Sequence, residues 1–394
     1  MKSARLWCFL LVAGLLLGGL MPAAPIQVAE AKPSSFGSAQ AAVEIKEIEI
    51  NQALGVQLNN AKKFVAGKST VVRAILSADA TVDAAQTSAV VKRDGQQVVK
   101  LDPKSSDKPA NIVDFLCPNM QACGNWAAGS YSFEVTVNGV TKSTEGTEYK
   151  FVERREIRVL ALPVKANYNG TIVSMPDDKW KTLHEFTIKV YPVAGDKFKW
   201  TLRDEFDASD AKYNLETDEG QLELWKGLTG LLPAHCEANP RGDGCYDLIV
   251  GFTPARHKGY PNGVGQGYTY GAPTNIVVAT DNDAAATVAH EIAHVYKAGD
   301  TYTGGTLNCK INPAPDGMKG SDWDNRPNET TCSAGRVVLA GVDATKIPAD
   351  QHPYEVEGRG PLDDMACYMG SGGKQEQFWT TQEVYDHLFE QLAP

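Results

Sequence analysis

The sequence predicts an α+β chain of two domains, a β-sandwich over residues 43–152 followed by an α/β domain over residues 153–394. Three observations predict it. Between Val43 and Val152 apolar residues tend to recur at every second position, and no stretch of helical period is long enough to form a convincing helix. From about Glu153 onward, strand-like runs alternate with segments of helical period, the order that builds a sheet with helices between its strands. The length of 394 residues leaves room for two domains of ordinary size, each with its own core.

The chain opens with Lys2 and Arg5, then an uncharged apolar run over residues 6–20, then Ala29-Glu30-Ala31, which offers a small-x-small cleavage site. Residues 1–31 therefore read as a signal peptide and residues 32–42 as a linker. An apolar run of about fifteen residues is short of the roughly twenty that a bilayer span needs. The expectation is bacterial-type export to a secreted, extracellular location, with no membrane span after cleavage. With 38 basic and 48 acidic residues the net charge is −10, a balance that argues against nucleic acid or an anionic membrane as partner. Oligomeric state is open at this level.

Cleavage would remove Cys8 and leave seven cysteines. Export favours disulfides, and proximity favours Cys117 with Cys123, Cys236 with Cys245 and Cys309 with Cys332, with Cys367 left over or displacing any one of these members. Zinc ligation by these pairs is the weaker reading, because their spacing is wider than the usual two to four residues.

In the N-terminal half, residues 43–50 and 69–76 are rich in β-branched residues and read as strands. Asp94-Gly95 and Asn138-Gly139 mark two hairpins. About seven strands in about 110 residues point to a sandwich. The segment resembles the immunoglobulin-like modules that precede catalytic domains in many secreted bacterial enzymes, although it has no Cys…Trp…Cys signature. That resemblance implies a fold and no ligand.

In the C-terminal half, residues 155–164 read as a strand ending at proline. Trp180, Leu183, Phe186 and Val190 then recur at helical spacing before Pro192. Residues 198–202 form a second strand and residues 220–232 a second helix, with strands following at 246–252 and 274–279. The last of these follows the glycine-rich residues 263–267, which lack the Lys-Ser or Lys-Thr of a phosphate loop. As a sheet edge, that strand could accept an extended substrate. Residues 308–369 are rich in Pro, Gly, Asp and Asn and read as a long loop region. Thr380-Thr381-Gln382-Glu383 is a capping box that opens a final helix with Val384, Leu388 and Leu392 on its apolar stripe.

The chemistry is concentrated in His290-Glu291-Ile292-Ala293-His294. Thr280-Asp281-Asn282-Asp283 supplies N-caps, three alanines follow, and Ala285, Val288, Ile292 and Val295 form a core-facing stripe, so the motif sits on a helix. Residues i and i+4 share a helix face, so both imidazoles can reach one Zn²⁺ with Glu291 beside them as base. A catalytic zinc takes a third protein ligand beside these two imidazoles. Glu329, Glu355, Glu357 and His352 are candidates, all in loop-like sequence. The remaining histidines, His184, His235, His257 and His387, read as ordinary surface or helix residues.

The run from His290 to Asp300 resembles the extended motif of the metzincins, a branch of the zincin metallopeptidases. Lys297 stands where that family has glycine, and Gly299 can make the turn instead. Gly299-Asp300-Thr301-Tyr302 is similar to the Gly-Asp-Glu-Tyr that follows the motif in secreted bacterial metallopeptidases, including the IgA-peptidase family. Those proteins often carry a later Cys-x-Met, and Cys367-Tyr368-Met369 fits.

The resemblance implies an α/β zincin catalytic domain with one catalytic Zn²⁺ on His290, His294 and Asp300. It further implies a methionine turn at Met369, or else Met365, and cleavage of a protein or peptide substrate. Tyr368, Tyr302 and Tyr296 are candidates for oxyanion support. Asp322, Asp324 and Asn325 could hold Ca²⁺, although acidic loops usually face water. Two rival functions stay open: a secreted binding or adhesion protein with a vestigial metal site, and a zinc hydrolase acting on a non-protein amide. A latent form, with residues 32–152 as a pro-segment and Cys117 or Cys123 on the zinc, is a further alternative.

Overall fold

Residues that alternate in the sequence pair across strands in the structure. The computed structural model describes residues 43–53, 64–104, 111–236, 239–254, 275–280, 285–296, 298, 342–343, 354–355, 366–368, 378–380 and 382–394. These residues are mostly β-sheet with a few helices, an α+β molecule. The signal peptide and linker expected over residues 1–42 lie outside them.

The N-terminal half contributes β1 (Ile45–Asn51), β2 (Phe64–Val65), β3 (Val71–Leu76), β4 (Ser88–Arg93) and β5 (Gln96–Leu101). It continues with β6 (Pro103–Lys104), β7 (Ile112–Leu116), β8 (Gly129–Val137), β9 (Val140–Ser143) and β10 (Tyr149–Val152). One sheet has the order β1-β3-β7-β6 and the other β2-β10-β8-β4-β5, with β9 beside β8. Ile48, Val72 and Phe115 from the first sheet share a core with Val91, Phe133 and Phe151 from the second, around Trp126. Ten strands stand where about seven were expected; β2 and β6 are two residues each, too short to show any period. Pro103 sits in an edge strand, where its missing N–H costs no ladder bond.

Both hairpins form where their dipeptides stand. Asp94 and Gly95 have φ of 52° and 80°, and Asn138 and Gly139 have 49° and 82°, the left-handed pair that a two-residue hairpin turn requires. On the face of the first sheet turned away from the shared core, Glu49, Arg73, Asp114 and Lys104 stand in register across four strands. Arg73 donates to both Asp114 oxygens, Nε at 2.7 Å and Nη2 at 3.1 Å, and both side chains are buried.

The C-terminal half is built on β11 (Ile157–Tyr168), β12 (Thr171–Val173), β13 (Phe198–Leu202), β14 (Phe206–Asp207), β15 (Leu248–Thr253) and β16 (Ile276–Thr280). β15 lies between β11 and β16, and β13, β14 and β12 pair with β11. All pairs are parallel except β11 with β12. The helices are α1 (Glu185–Val190), α2 (Asp218–Thr229), α3 (Ala285–Val295) and α4 (Gln382–Gln391). Short pairs close the set: β17 (Val342–Asp343) with β18 (Tyr354–Glu355), and β19 (Ala366–Cys367) with β20 (Phe378–Trp379).

Alternate residues of the sheet serve opposite faces. Ile157, Val159, Leu248, Val250, Val277 and Ala279 pack with α1, α3 and α4. Leu160, Leu162, Ile249 and Ile276 pack with Leu224 and Leu228 of α2. Gly251 lets α2 come close, since a Cβ there would lie 2.9 Å from Leu228 Cδ1.

Two expectations are corrected. β11 does not end at Pro163 but runs on to Tyr168, because its neighbour changes from β13 to β14 opposite Leu162 and Pro163. Beyond the proline, Asn169-Gly170 makes a third hairpin turn, with φ of 52° and 88°, into β12. The segment after Asp177 is not one helix but a 3-10 turn, Lys179–Thr182, followed by α1.

The two halves join in one unit, 43–394, in which Ala53 and Val65 share a core with Val190 and Val193. Cys117–Cys123 and Cys236–Cys245 are disulfides. Cys309 and Cys332 lie outside the described residues. Among the described residues no helix is long and apolar enough to cross a membrane.

Candidate metal centre

α3 carries the motif because its neighbours bury it. Thr287, Val288, Ile292 and Val295 are β-branched and only moderate helix formers, so tertiary packing supplies the stability that propensity does not. Val288, Ala289, Ile292 and Ala293 are fully covered. His290 and Glu291 are themselves buried, at 7% and 6% exposure, and His294 is half-buried.

The helical spacing brings the two imidazoles together. His290 Nε2 and His294 Nε2 are 2.9 Å apart, with the rings nearly perpendicular and their centroids 4.5 Å apart. His290 Nδ1 lies 2.9 Å from the Tyr368 carbonyl oxygen, and His294 Nδ1 lies 2.8 Å from that of Ala298. A carbonyl only accepts, so each Nδ1–H donates, and in a neutral ring Nε2 is then the nitrogen that carries the lone pair. Two lone pairs at that distance repel unless a proton or a metal cation lies against them. A Glu291 carboxylate oxygen is 4.0 Å from His290 Nε2, and the three side chains form a group able to hold a metal ion.

This donor set fits zinc. Zinc takes imidazole nitrogens and carboxylate oxygens, and His290, His294 and Glu291 would offer both kinds. Imidazoles that ligate a metal through Nε2 almost always donate Nδ1–H to a carbonyl or carboxylate, as both do here. Asp300, Tyr302, Met365, Met369, Lys297 and Gly299 lie outside the described residues. So do His257, His352, Glu329, Glu357, residues 263–267, and Asp322, Asp324 and Asn325. Glu355 is described only as part of β18.

Tyr368 is buried, with its ring 6.0 Å from that of Phe186 and 6.2 Å from that of Tyr191. The geometry gives its carbonyl a task, orienting His290, that motif reading does not anticipate. Tyr296 is also buried. The Arg155 guanidinium stands over its ring at 5.2 Å, and its carbonyl accepts from His387 Nε2 at 2.8 Å, tying α3 to α4. Burial, then the nearby Asp247 carboxylate, pushes the Tyr296 phenol well above its ordinary pKa. His184 stacks on Trp200 at 4.8 Å, where burial holds its pKa below the usual histidine value. His235 neighbours Cys236 and Cys245, but those sulfurs are joined to each other and offer no thiolate. A separate cleft of about 840 Å³, lined by Pro163, Trp180, Leu202 and Arg203 among others, includes none of the three motif side chains.

Tyr191, which no motif marks, sits beside the centre. Its hydroxyl donates to the carbonyl of Ala289, the residue before His290, at 2.6 Å. Burial raises its pKa well above that of a free phenol, and Tyr368 reinforces the shift, so it remains a donor.

No protein-family model matches this chain, and no curated protein does. Among solved structures the chain is similar to the crystal structure of CopC from Methylosinus trichosporium OB3b, at 21% sequence identity and a TM-score of 0.18. The match covers 27% of this chain and 91% of that one, and at such a score it bears on neither the fold nor the histidine pair.

Proposed function

We propose that this chain is a secreted zinc-dependent endopeptidase whose metal is held by His290 and His294 and whose base is Glu291. One observation carries the reading: two Nε2 atoms 2.9 Å apart on a buried helix, each imidazole fixed by a carbonyl behind it, with a carboxylate alongside. The zincin resemblance, Asp300 as third ligand and Met369 as the methionine turn belong to the same proposal. The signal-like N-terminus and the two disulfides support an exported protein.

Zinc, when bound, supplies Lewis-acid chemistry that acidifies water and polarises a carbonyl. His290 and His294 would hold the ion through Nε2, because the Tyr368 and Ala298 carbonyls accept from each Nδ1–H and fix the ring orientations. Glu291 accepts a proton from the attacking water as its oxygen bonds to the peptide carbonyl carbon. Glu291 then returns that proton to the amine nitrogen as the C–N bond breaks, leaving an acid and an amine.

Labelled casein with and without a chelator, alongside zinc stoichiometry, tests this. One bound Zn²⁺ and chelator-sensitive cleavage are expected. Zinc binding with no cleavage of any unfolded protein would favour a non-protein amide as substrate, and no zinc binding would remove the reading altogether.

A further inference from the structure

Between β2 and β3 the chain turns through Gly67, at φ +78°, with Ala194 Cβ only 3.1 Å from where a side chain would begin. The next residue, Lys68, is 1% exposed. Its Nζ donates to the carbonyls of Ile188 at 2.7 Å, Tyr191 at 2.9 Å and Val193 at 3.4 Å. The Ile188 carbonyl lies where α1 ends and Pro192 lacks the N–H that would have bonded it, and the Tyr191 and Val193 carbonyls follow directly after that end. An ammonium has three N–H donors, and it meets the negative end of the helix there.

Tyr191 links this cap to the metal centre. Lys68 holds its carbonyl, while its hydroxyl holds the carbonyl of Ala289 in α3. Its ring lies beside Tyr368, whose own carbonyl receives Nδ1–H of His290. One tyrosine thus meets both supports of His290, the backbone before it and the residue that orients its ring.

We propose that Lys68 and Tyr191 are positioning residues for the metal centre. The lysine of the N-terminal sandwich fixes Tyr191, and Tyr191 fixes the turn of α3 and the Tyr368 carbonyl that aim His290 Nε2. A metal site depends on ligand placement to within about 0.5 Å, so loss of this relay loosens the site without unfolding the chain. The proposal rests on His290 and His294 being metal ligands.

The test uses full-length protein, with Zn²⁺ affinity measured by competition against a chromogenic chelator and Co²⁺ absorption reporting ligand geometry. Tyr191→Phe removes one hydroxyl and keeps the ring. The expected result is Zn²⁺ binding weakened about tenfold, an altered Co²⁺ spectrum, and kcat on labelled casein reduced with KM unchanged. Lys68→Met should act in the same direction. Tyr385→Phe, a buried tyrosine of the same core on α4, serves as control and should leave Zn²⁺ affinity unchanged.

If wild type binds one Zn²⁺ and Tyr191→Phe binds it equally tightly, the positioning role is overturned while the metal site stands. Equal weakening by Tyr385→Phe also overturns it, since any loss of core packing would then suffice. Wild-type protein that takes up no Zn²⁺ overturns both this role and the proposed function.

Discussion

At Glu291 a buried carboxylate 4.0 Å from His290 Nε2 can either orient a ligand or move a proton, and one substitution separates the two. Glu291→Gln keeps size and polarity but cannot accept a proton. It should retain Zn²⁺ and lose casein hydrolysis by about 10²–10⁴-fold, with metal content and initial rate as the measurements. Retained turnover would take the proton-transfer role away from Glu291. A second residue-scale effect is pH-dependent. An unfolded histidine titrates near about 6.5, while burial against Trp200 lowers the folded value for His184. As pH falls through that window the unfolded chain binds more proton, so stability drops. Urea midpoints at pH 7.5 and 5.5 should differ less in His184→Leu than in wild type.

At the scale of elements, the first sheet carries a charged row that its burial makes costly to disturb. Asp114→Ala leaves Arg73 buried without its bidentate partner and should destabilise the protein by about 3–5 kcal/mol. Arg73→Met combined with Asp114→Leu should recover much of that loss, because two apolar side chains need no counter-charge. Denaturant titration of the single and double variants decides it; a single variant as stable as wild type would show that the pair contributes little. α4 packs against α3 through Leu388 and the His387 contact to the Tyr296 carbonyl. Leu388→Ala should cost about 2–5 kcal/mol, read from the same titration.

For the whole molecule, binding of an ion to the folded chain alone raises stability by mass action. Removing Zn²⁺ with a chelator should lower Tm in wild type and leave Tm unchanged in a His290→Ala/His294→Ala double variant, followed by differential scanning. A fall of equal size in both would place the stabilising ion elsewhere. The motif helix, the two hairpins anticipated at Asp94-Gly95 and Asn138-Gly139, and the change from sandwich to α/β order were legible because each depends on residues near one another in sequence. The third hairpin was hidden only by reading Pro163 as a strand end, since Asn169-Gly170 carries the same local signal. Lys68 and Tyr191 had no such signal: their contacts join residues 123 and 98 positions apart, and a lone lysine before a strand looks like any exposed one. By itself the sequence determined that two imidazoles and a carboxylate share a helix, because helical period is a property of adjacent dihedral angles. Only the tertiary structure decided that the Tyr368 carbonyl, 78 positions away, orients His290, because that partner is chosen by which buried polar groups folding leaves face to face.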